Sequence, residues 1–565
     1  MSATNWSNEP AGTVAAGGEL GVHCWGSGAT LVPASWDASP NGFAHKYGTP
    51  VDNQIRRHTL GDLLRRTSAR MPRKLAIRCG AIAWTYAELD SICDRLAAGL
   101  ALEGVGPGDR VAILSRNSHA FVAMRFALAR LGAVLVPINF MLQSQECAFI
   151  LRHAGASVLC VDSGLAELGK QAAASDTGVR KMIWLPGEEP TVPDPELISF
   201  DRLIATSAAP PAVDLDARML AQIVYTSGTE SLPKGAMLTH EAVISEYVTC
   251  LVDAEIAEGD LVLHALPLYH CAQLDVFLGP CIYVGATNVV TAKPVPENLL
   301  SLIERHGVTS FFAPPTVWIS LLRSSAFEQR DLSSLRKGYY GASIMPVEVL
   351  KEIQRRLPAV RLWNLYGQTE IAPVATVLKP EDQLRKAGSA GRPALNVETR
   401  VVDDSGRDVA PGEIGEIVHR SPHLLSGYYQ DEERTSVAFQ GGWFHSGDLG
   451  TIDDEGYITI VDRKKDMIKS GGENVSSREV EETVYRLAAV SEVAVIGLPH
   501  PLWIEAVTAI IVTKAGATLT TDDVIAHCSE RLAGFKVPKR VIFTDSLPKN
   551  PSGKLLKREL REKLG

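Results

Sequence analysis

Leu89, Cys93, Leu96, Ala97 and Leu100 recur at spacings that place them on one face of an amphipathic helix, directly after Trp84-Thr85-Tyr86. Gly108-Asp109 then marks a turn into the all-apolar run 111–114, short enough for a buried strand. A helix over 121–131 and a second buried strand over 133–138 follow. Strand, helix and strand of these lengths predict parallel βαβ units in a layered α/β domain. Further apolar runs at 157–161, 222–225, 261–263 and 310–313 continue the alternation. Between them, 183–217 is rich in Pro, Asp and Ala and reads as a solvated connection. From 396 the texture changes to short β runs (397–402 and 416–418) around the turn Asp403-Asp404-Ser405-Gly406. This predicts a β-rich subdomain over about 396–462, followed by a compact α+β tail. Residues 1–50 read as a flexible N-terminal extension, with globular patterning starting near His58, and there is no internal repeat.

Composition narrows this picture. The 565 residues are 45% hydrophobic and 21% charged, which fits a globular chain and excludes disorder, collagen and coiled coil as whole-chain descriptions. With 56 basic against 65 acidic side chains the net charge is −9, so no global field draws nucleic acid or an anionic membrane. The nine cysteines are odd in number, scattered, and never form CxxC, as expected for thiols in a reducing compartment. The N-terminus lacks a basic segment leading into an apolar core, and no long uncharged apolar run occurs. A cytoplasmic protein without stable membrane insertion is expected, as monomer or homodimer.

The strongest chemical signal is Tyr225-Thr226-Ser227-Gly228-Thr229-Glu230-Ser231-Leu232-Pro233-Lys234-Gly235. An apolar strand here feeds hydroxyls, glycines and one lysine, the materials for holding phosphate with backbone N–H groups and side-chain donors. The spacing is not that of the usual P-loop, and by itself the segment reads more readily as a polar surface loop. Six further segments follow in order: Leu266-Pro267-Leu268-Tyr269-His270, Gly341-Ala342-Ser343, Asn364-Leu365-Tyr366-Gly367-Gln368-Thr369-Glu370, Gly442-Trp443-Phe444-His445-Ser446-Gly447-Asp448, Asp462-Arg463-Lys464-Lys465-Asp466 and Asn550-Pro551-Ser552-Gly553-Lys554.

Taken together, these segments resemble the adenylate-forming superfamily of acyl-CoA synthetases, luciferases and peptide-synthetase adenylation domains, over about residues 55–565. The resemblance implies a large adenylate-forming domain at 51–464 and a small α+β domain at 465–565, mobile about a hinge at Lys465. It also implies two half-reactions: a carboxylic acid attacks the α-phosphate of ATP to give acyl-AMP and pyrophosphate, and the thiol of coenzyme A then displaces AMP. Charge neutralisation on phosphate is the main physical demand. By the resemblance, Thr226, Ser227, Gly228, Thr229 and Lys234 hold the β and γ phosphates. Thr226 and Glu370 hold Mg2+ through oxygen, as a hard cation requires. Thr369 contacts the α-phosphate. Gly341, Ala342 and Ser343 flank the adenine, with Asn364, Leu365, Tyr366, Gly367 and Gln368 around its other side. Asp448 accepts the ribose hydroxyls, Arg463 adds a second contact, and Lys554 bridges α-phosphate and carboxylate in the transition state. Rotation at Lys465 brings Lys469 to AMP, and Gly471 and Gly472 to the pantetheine arm; Lys293 is a weaker CoA candidate.

The phosphate loop departs from the family pattern, because Glu230 and Ser231 stand where Thr and Gly are usual, and Ile504 replaces a common Gly in the tail. His270 stands where amino-acid-activating relatives carry an Asp for the substrate ammonium, which disfavours an amino-acid substrate. Tyr269, His270, Phe277 and Tyr340 are therefore expected to line an apolar acyl pocket suited to a medium-chain fatty acid or an aryl acid. The expected activity is an ATP-dependent acyl-CoA synthetase. An adenylating ligase serving an acyl carrier protein, or a non-catalytic acyl-nucleotide binder, are the alternatives.

Overall fold

The computed structural model describes residues 53–226, 233–343, 345–464, 466–470, 473–549 and 555–565. The flexible extension expected over 1–50 lies outside them. Residues 53–565 form one compact unit, built on four sheets.

In the seven-stranded sheet, Arg110–Leu114 lies between Val134–Pro137 and Val158–Asp162, all parallel. Leu220–Thr226 joins beside Val134–Pro137 and forms an antiparallel hairpin with Lys234–Thr239. The solvated connection expected over 183–217 is only partly one. Lys181–Leu185 and Ile198–Ser199 extend this sheet as parallel strands, and the helix Phe200–Ile204 follows them. Ile183, Trp184 and Leu185 are buried there, whereas the prolines at 190, 193 and 195 are confined to the loop between the two strands. A short apolar run was masked by the polar residues around it.

The nine-stranded sheet has a parallel centre made by Thr287–Val290, Leu261–His264, Ser310–Phe312, Lys337–Gly341 and Arg361–Gly367. Helix His119–Leu131 is buried along its whole length, Arg125 and Arg130 included. Arg125 is neutralised by Asp275, and Arg130 by Asp90 and Asp94, which is how buried guanidinium groups are tolerated. A four-stranded antiparallel sheet spans Glu398–Val402, Gly415–Arg420, Phe444–Ile452 and Ile458–Arg463. The smaller C-terminal domain carries the last sheet, centred on the long hairpin of Val490–His500 with Ile504–Thr513.

This layout already indicates where chemistry sits. Thr226, Phe312, Gly341 and Gly367 each end a strand at its C-terminal side. In open parallel sheets, ligands bind in the crevice outside those ends. No helix among the described residues is long and apolar enough to cross a membrane. The eight cysteines described are buried and unbridged.

Candidate active site

The hairpin of Leu220–Thr226 with Lys234–Thr239 sets Thr226 opposite Lys234 in register. Its tip carries Ser227, Gly228, Thr229, Glu230 and Ser231, which lie outside the described residues. The Lys234 ammonium stands over the Tyr428 ring, 5.2 Å from its centre. Tyr428 is held there by backbone hydrogen bonds that zip its segment to the hairpin: Met237 N–H to the Gly427 carbonyl at 3.1 Å, and Tyr429 N–H to the Gly235 carbonyl at 2.8 Å. The Tyr428 hydroxyl donates to Glu370 Oε1 at 3.1 Å. Burial and then the Glu370 carboxylate keep that phenol far above its usual range.

Glu370 and Thr369 sit on a single 3-10 turn immediately past Arg361–Gly367. A Cβ at Gly367 would fall 1.7 Å from the Pro373 carbonyl oxygen, so only glycine lets the chain turn so tightly. Upstream on that strand, Tyr366 donates to Asp448 Oδ2 at 2.7 Å, and Asn364 donates to the Ser389 carbonyl at 3.0 Å. Gln368 donates to the Ser446 carbonyl. Asp448 pairs with Arg463 across adjacent strands, and Arg463 Nε reaches Asp448 Oδ1 at 2.9 Å. One lone pair on each carboxylate oxygen is thus engaged, which leaves two for a pair of neighbouring hydroxyl donors. The carboxylate in turn raises the Arg463 guanidinium above its ordinary value.

Ala342 adopts φ +62°, an unusual backbone state for a residue with a side chain. It follows Gly341, where a Cβ would meet the Leu365 carbonyl oxygen at 2.4 Å. Ala342 also lines a cleft with Leu266, Pro267, His270, Ala272, Gln273, Phe312 and Pro314. His270 caps the short helix that follows it, its Nδ1 accepting from Ala272 N–H at 3.1 Å. The proton of the neutral ring is therefore on Nε2. Next to it, Cys271 Sγ lies 3.3 Å from Thr369 Oγ1, joining the cleft wall to the Thr369-Glu370 turn.

A family model described as "AMP-binding enzyme" matches residues 64–429, and one for the "AMP-binding enzyme C-terminal domain" matches 479–554. The chain belongs to this family. Among its relatives, the feruloyl-CoA synthase of an Amycolatopsis species is 38% identical over 512 residues, covering 90% of this chain and all of that protein. The long-chain-fatty-acid–CoA ligase FadD13 of Mycobacterium tuberculosis is 37% identical, covering 85% of this chain and 92% of its own. The solved anthranilate CoA ligase AuaEII, bound to anthranoyl-AMP, superposes with TM-score 0.82 at 28% identity, covering 90% of this chain and 97% of the other. This AMP-binding enzyme lies in the acyl-CoA synthetase branch. It is an acid–thiol ligase that activates a carboxylic acid through acyl-AMP and then makes the CoA thioester.

Contacts link Thr226, Lys234 and Glu370 through Tyr428, and Cys271 beside His270 reaches Thr369, while Tyr366, Asp448 and Arg463 form a second group. Tyr428, which meets both Lys234 and Glu370, was not singled out from the sequence; its only signal is the paired aromatic Tyr428-Tyr429. The acyl wall needs correction. Successive residues of a strand face opposite ways, and Tyr340 lies on Lys337–Gly341. Tyr340 turns into the core behind the sheet and donates to Gln383 at 2.7 Å. Tyr269 packs edge-on against Phe140, and Phe277 lies behind the wall, stacked on Phe312 at 4.5 Å between ring centres. The space beside His270 is lined by Phe312, Pro314, Gln273 and Ala342. Lys293 is engaged by Glu189 at the surface, so a CoA contact there would have to displace that carboxylate. Lys469 is exposed on the strand Ile468–Ser470, its N–H donating to Glu505 at 2.7 Å. Lys465, Gly471, Gly472 and Lys554 lie outside the described residues.

On both sides of position 465 the chain is held by residues of the C-terminal segment. Asp462 Oδ2 accepts from Ser477 N–H at 2.8 Å and from the Ser477 hydroxyl at 2.7 Å. Lys557 reaches Ser477 Oγ and Glu481, and Arg561 pairs with Asp466 at 2.8 Å. Arg478 adds hydrogen bonds to the carbonyls of Ile460 and Gly388.

Proposed function

We propose that this acyl-CoA synthetase acts on an uncharged, flat-bodied acid, an aryl or arylalkanoic acid, using ATP with Mg2+ in the cytoplasm. The observation that carries the reading is the cleft itself. It is a narrow space walled by Pro267, Phe312 and Pro314, with His270 as its only titratable side chain among the described residues. Among the described residues no carboxylate lines it to hold a substrate ammonium, and no Lys or Arg to hold a second carboxylate. The named activities of the feruloyl and anthranilate relatives support the same class. The similarity to FadD13 favours a second reading, a medium-chain fatty acid.

In this reading His270 donates through Nε2 to the substrate carboxylate and orients its free oxygen toward the α-phosphorus. Thr369 stabilises negative charge on the α-phosphate, and Lys234 with Thr226 takes the departing pyrophosphate. Asp448 fixes the ribose, so the phosphorus and carboxylate meet in one geometry. Glu370 and Thr226 offer only oxygen donors, which fits Mg2+; bound there, the ion would neutralise phosphate charge. In the second half-reaction the CoA sulfur attacks the acyl carbonyl and AMP leaves, with the domain 465–565 turning about Lys465 between the two steps. The thiol acceptor in this reading is coenzyme A rather than a carrier protein.

The test is pyrophosphate release across benzoic, cinnamic, phenylpropanoic and C4–C12 straight-chain acids, with and without CoA. Ring-bearing acids are expected to dominate kcat/KM. A maximum on a straight-chain acid would replace the aryl reading with the aliphatic one.

A further inference from the structure

The helix Ser477–Tyr485 belongs to the C-terminal domain. Glu481 on it accepts from Val495 N–H of the long hairpin at 2.7 Å, and its Val480 and Val484 lie in that domain's core. Both ends of the helix nevertheless reach the large domain. At its first turn Ser477 is bound by Asp462, the penultimate residue of the strand Ile458–Arg463. At its last turn Tyr485 packs against its own core and also against the cluster of Trp318, Leu321, Leu350 and Ile353 in the large domain. Among the described residues no other side chain packs against a hydrophobic core of each domain.

The surface that receives Tyr485 is the end of the helix Pro315–Arg323, which starts directly after Pro314 of the cleft wall. Arg323 is exposed, and both of its hydrogen-bond partners among the described residues belong to the C-terminal domain. Its Nη1 donates to Ser491 Oγ at 2.8 Å, and its guanidinium is also hydrogen-bonded to the Tyr485 hydroxyl. A tyrosine suits such a junction, because its ring fills an apolar seat while its hydroxyl meets a polar partner at the rim. Tyr485 also stands eight residues, about 12 Å of helix, from the Asp462 contact beside position 465. A turn of the domain about that position moves the far end of the helix most, so Tyr485 must leave its seat.

We infer that Tyr485 is a positioning residue that seats the C-terminal domain against the helix Pro315–Arg323 in one of the two orientations the half-reactions use. It touches no substrate and acts on the chemistry only through that seat, with Arg323 as its partner. This role rests on the proposed turn about Lys465 and names what holds one of its end states.

The experiment follows the two half-reactions separately in the full-length protein by single turnover, using the best acid from the panel above. One arm is pyrophosphate release from acid and ATP; the other is thioester formation from supplied acyl-AMP and CoA. Each rate scales with the population of the orientation it needs, so unseating one orientation changes the ratio of the two rates. In Tyr485→Ala that ratio should change at least about tenfold, as for loss of an aromatic anchor from an interface. In Tyr485→Phe, which keeps the ring, it should stay within about threefold. Because Tyr485→Ala also opens the C-terminal core and can disturb folding, Arg323→Met is the second variant. It leaves both cores intact, loses the bonds to Tyr485 and Ser491 together, and should move the ratio in the same direction and further than Tyr485→Phe does. A merely structural role would lower both rates together. An unchanged ratio in folded Tyr485→Ala, or opposite shifts in Tyr485→Ala and Arg323→Met, would overturn the assignment. Lys554→Ala tests the turning domain itself. If Lys554→Ala splits the half-reactions and Tyr485→Ala does not, only the role of Tyr485 falls; if Lys554→Ala impairs both equally, the turn falls and the role of Tyr485 with it.

Discussion

Tyr428 touches two opposite charges, with its hydroxyl on Glu370 and its ring under the Lys234 ammonium. In the proposed function Glu370 holds Mg2+, and a metal-binding carboxylate works best when a second partner fixes its rotamer. Tyr428→Phe keeps the ring for Lys234 but removes the donor to Glu370. The Mg2+ concentration for half-maximal pyrophosphate release should rise about tenfold, with little change in saturating rate, while the melting temperature should shift only slightly. An unchanged Mg2+ dependence would show that Glu370 does not need this partner. Asp448 makes a related point through backbone register: it faces Arg463 because the strands Phe444–Ile452 and Ile458–Arg463 pair as they do. Both residues sit in motifs that stand out in the sequence. Their mutual contact, and the one with Tyr366, depends on which residues lie opposite each other after folding. That information is not local to any motif.

At the scale of elements, the wall helix is tied to the phosphate-side strand by a buried cluster. Asp275 accepts from Arg125 at 2.8 Å, from Gln222 at 2.8 Å and from the Tyr247 hydroxyl at 3.2 Å. Asp275 lies in the π-helical turn Leu274–Leu278, and Gln222 lies on Leu220–Thr226, the strand that leads to Thr226. Asp275→Ala would leave the Arg125 guanidinium buried without its counter-charge, so a loss of about 3–5 kcal/mol in unfolding free energy is expected by chemical denaturation. A loss below about 1 kcal/mol would mean that water reaches Arg125. The elements themselves were largely legible: runs at 111–114, 157–161, 222–225 and 310–313 are apolar apart from Ser157, Gln222 and Ser310, as expected of strands covered on both faces. The acyl wall was less so. Phe312 was read as one more residue of an apolar run, and nothing in such a run says which ring will face a ligand. Tyr340 failed for the converse reason, since a tyrosine beside a glycine-rich motif looks like a site residue until strand alternation sends it to the core.

At the scale of the whole molecule, five buried histidines among the described residues set the response to acid. Burial holds His240 and His419 at pKa values of about 3, and His119, His264 and His423 at about 4. In the unfolded chain each ring takes up a proton below its ordinary value of 6.5. The unfolded state therefore binds more protons between pH 6.5 and 4, and stability falls as pH drops through that window. Each ring withdraws up to about 1.4 kcal/mol per pH unit. The melting temperature should hold between pH 8 and 7 and fall steeply from 6.5 to 5; a flat profile there would contradict the buried neutral rings. The two half-reactions give a second whole-molecule expectation. Lys554→Ala should cripple acyl-AMP formation by about 10²–10³-fold yet still convert supplied acyl-AMP and CoA to thioester, and Gly472→Trp should do the reverse. Single-turnover rates measured from each end check this, and equal impairment of both steps by Lys554→Ala would count against a rotating C-terminal domain.

If position 465 is the hinge, as proposed, the contacts beside it have a kinetic meaning as well. Ser477 and Arg478 hold Asp462, Ile460 and Gly388 through four hydrogen bonds that any rotation about Lys465 must release. At about 1 kcal/mol net apiece, the released orientation would be populated about a thousandfold less, unless it makes new bonds of its own. First and later catalytic cycles then run at different speeds. If the resting orientation serves acyl-AMP formation, mixing enzyme with all substrates yields a burst of pyrophosphate equal to the enzyme present, followed by a slower steady rate. If it serves thioester formation, the same trace begins with a lag.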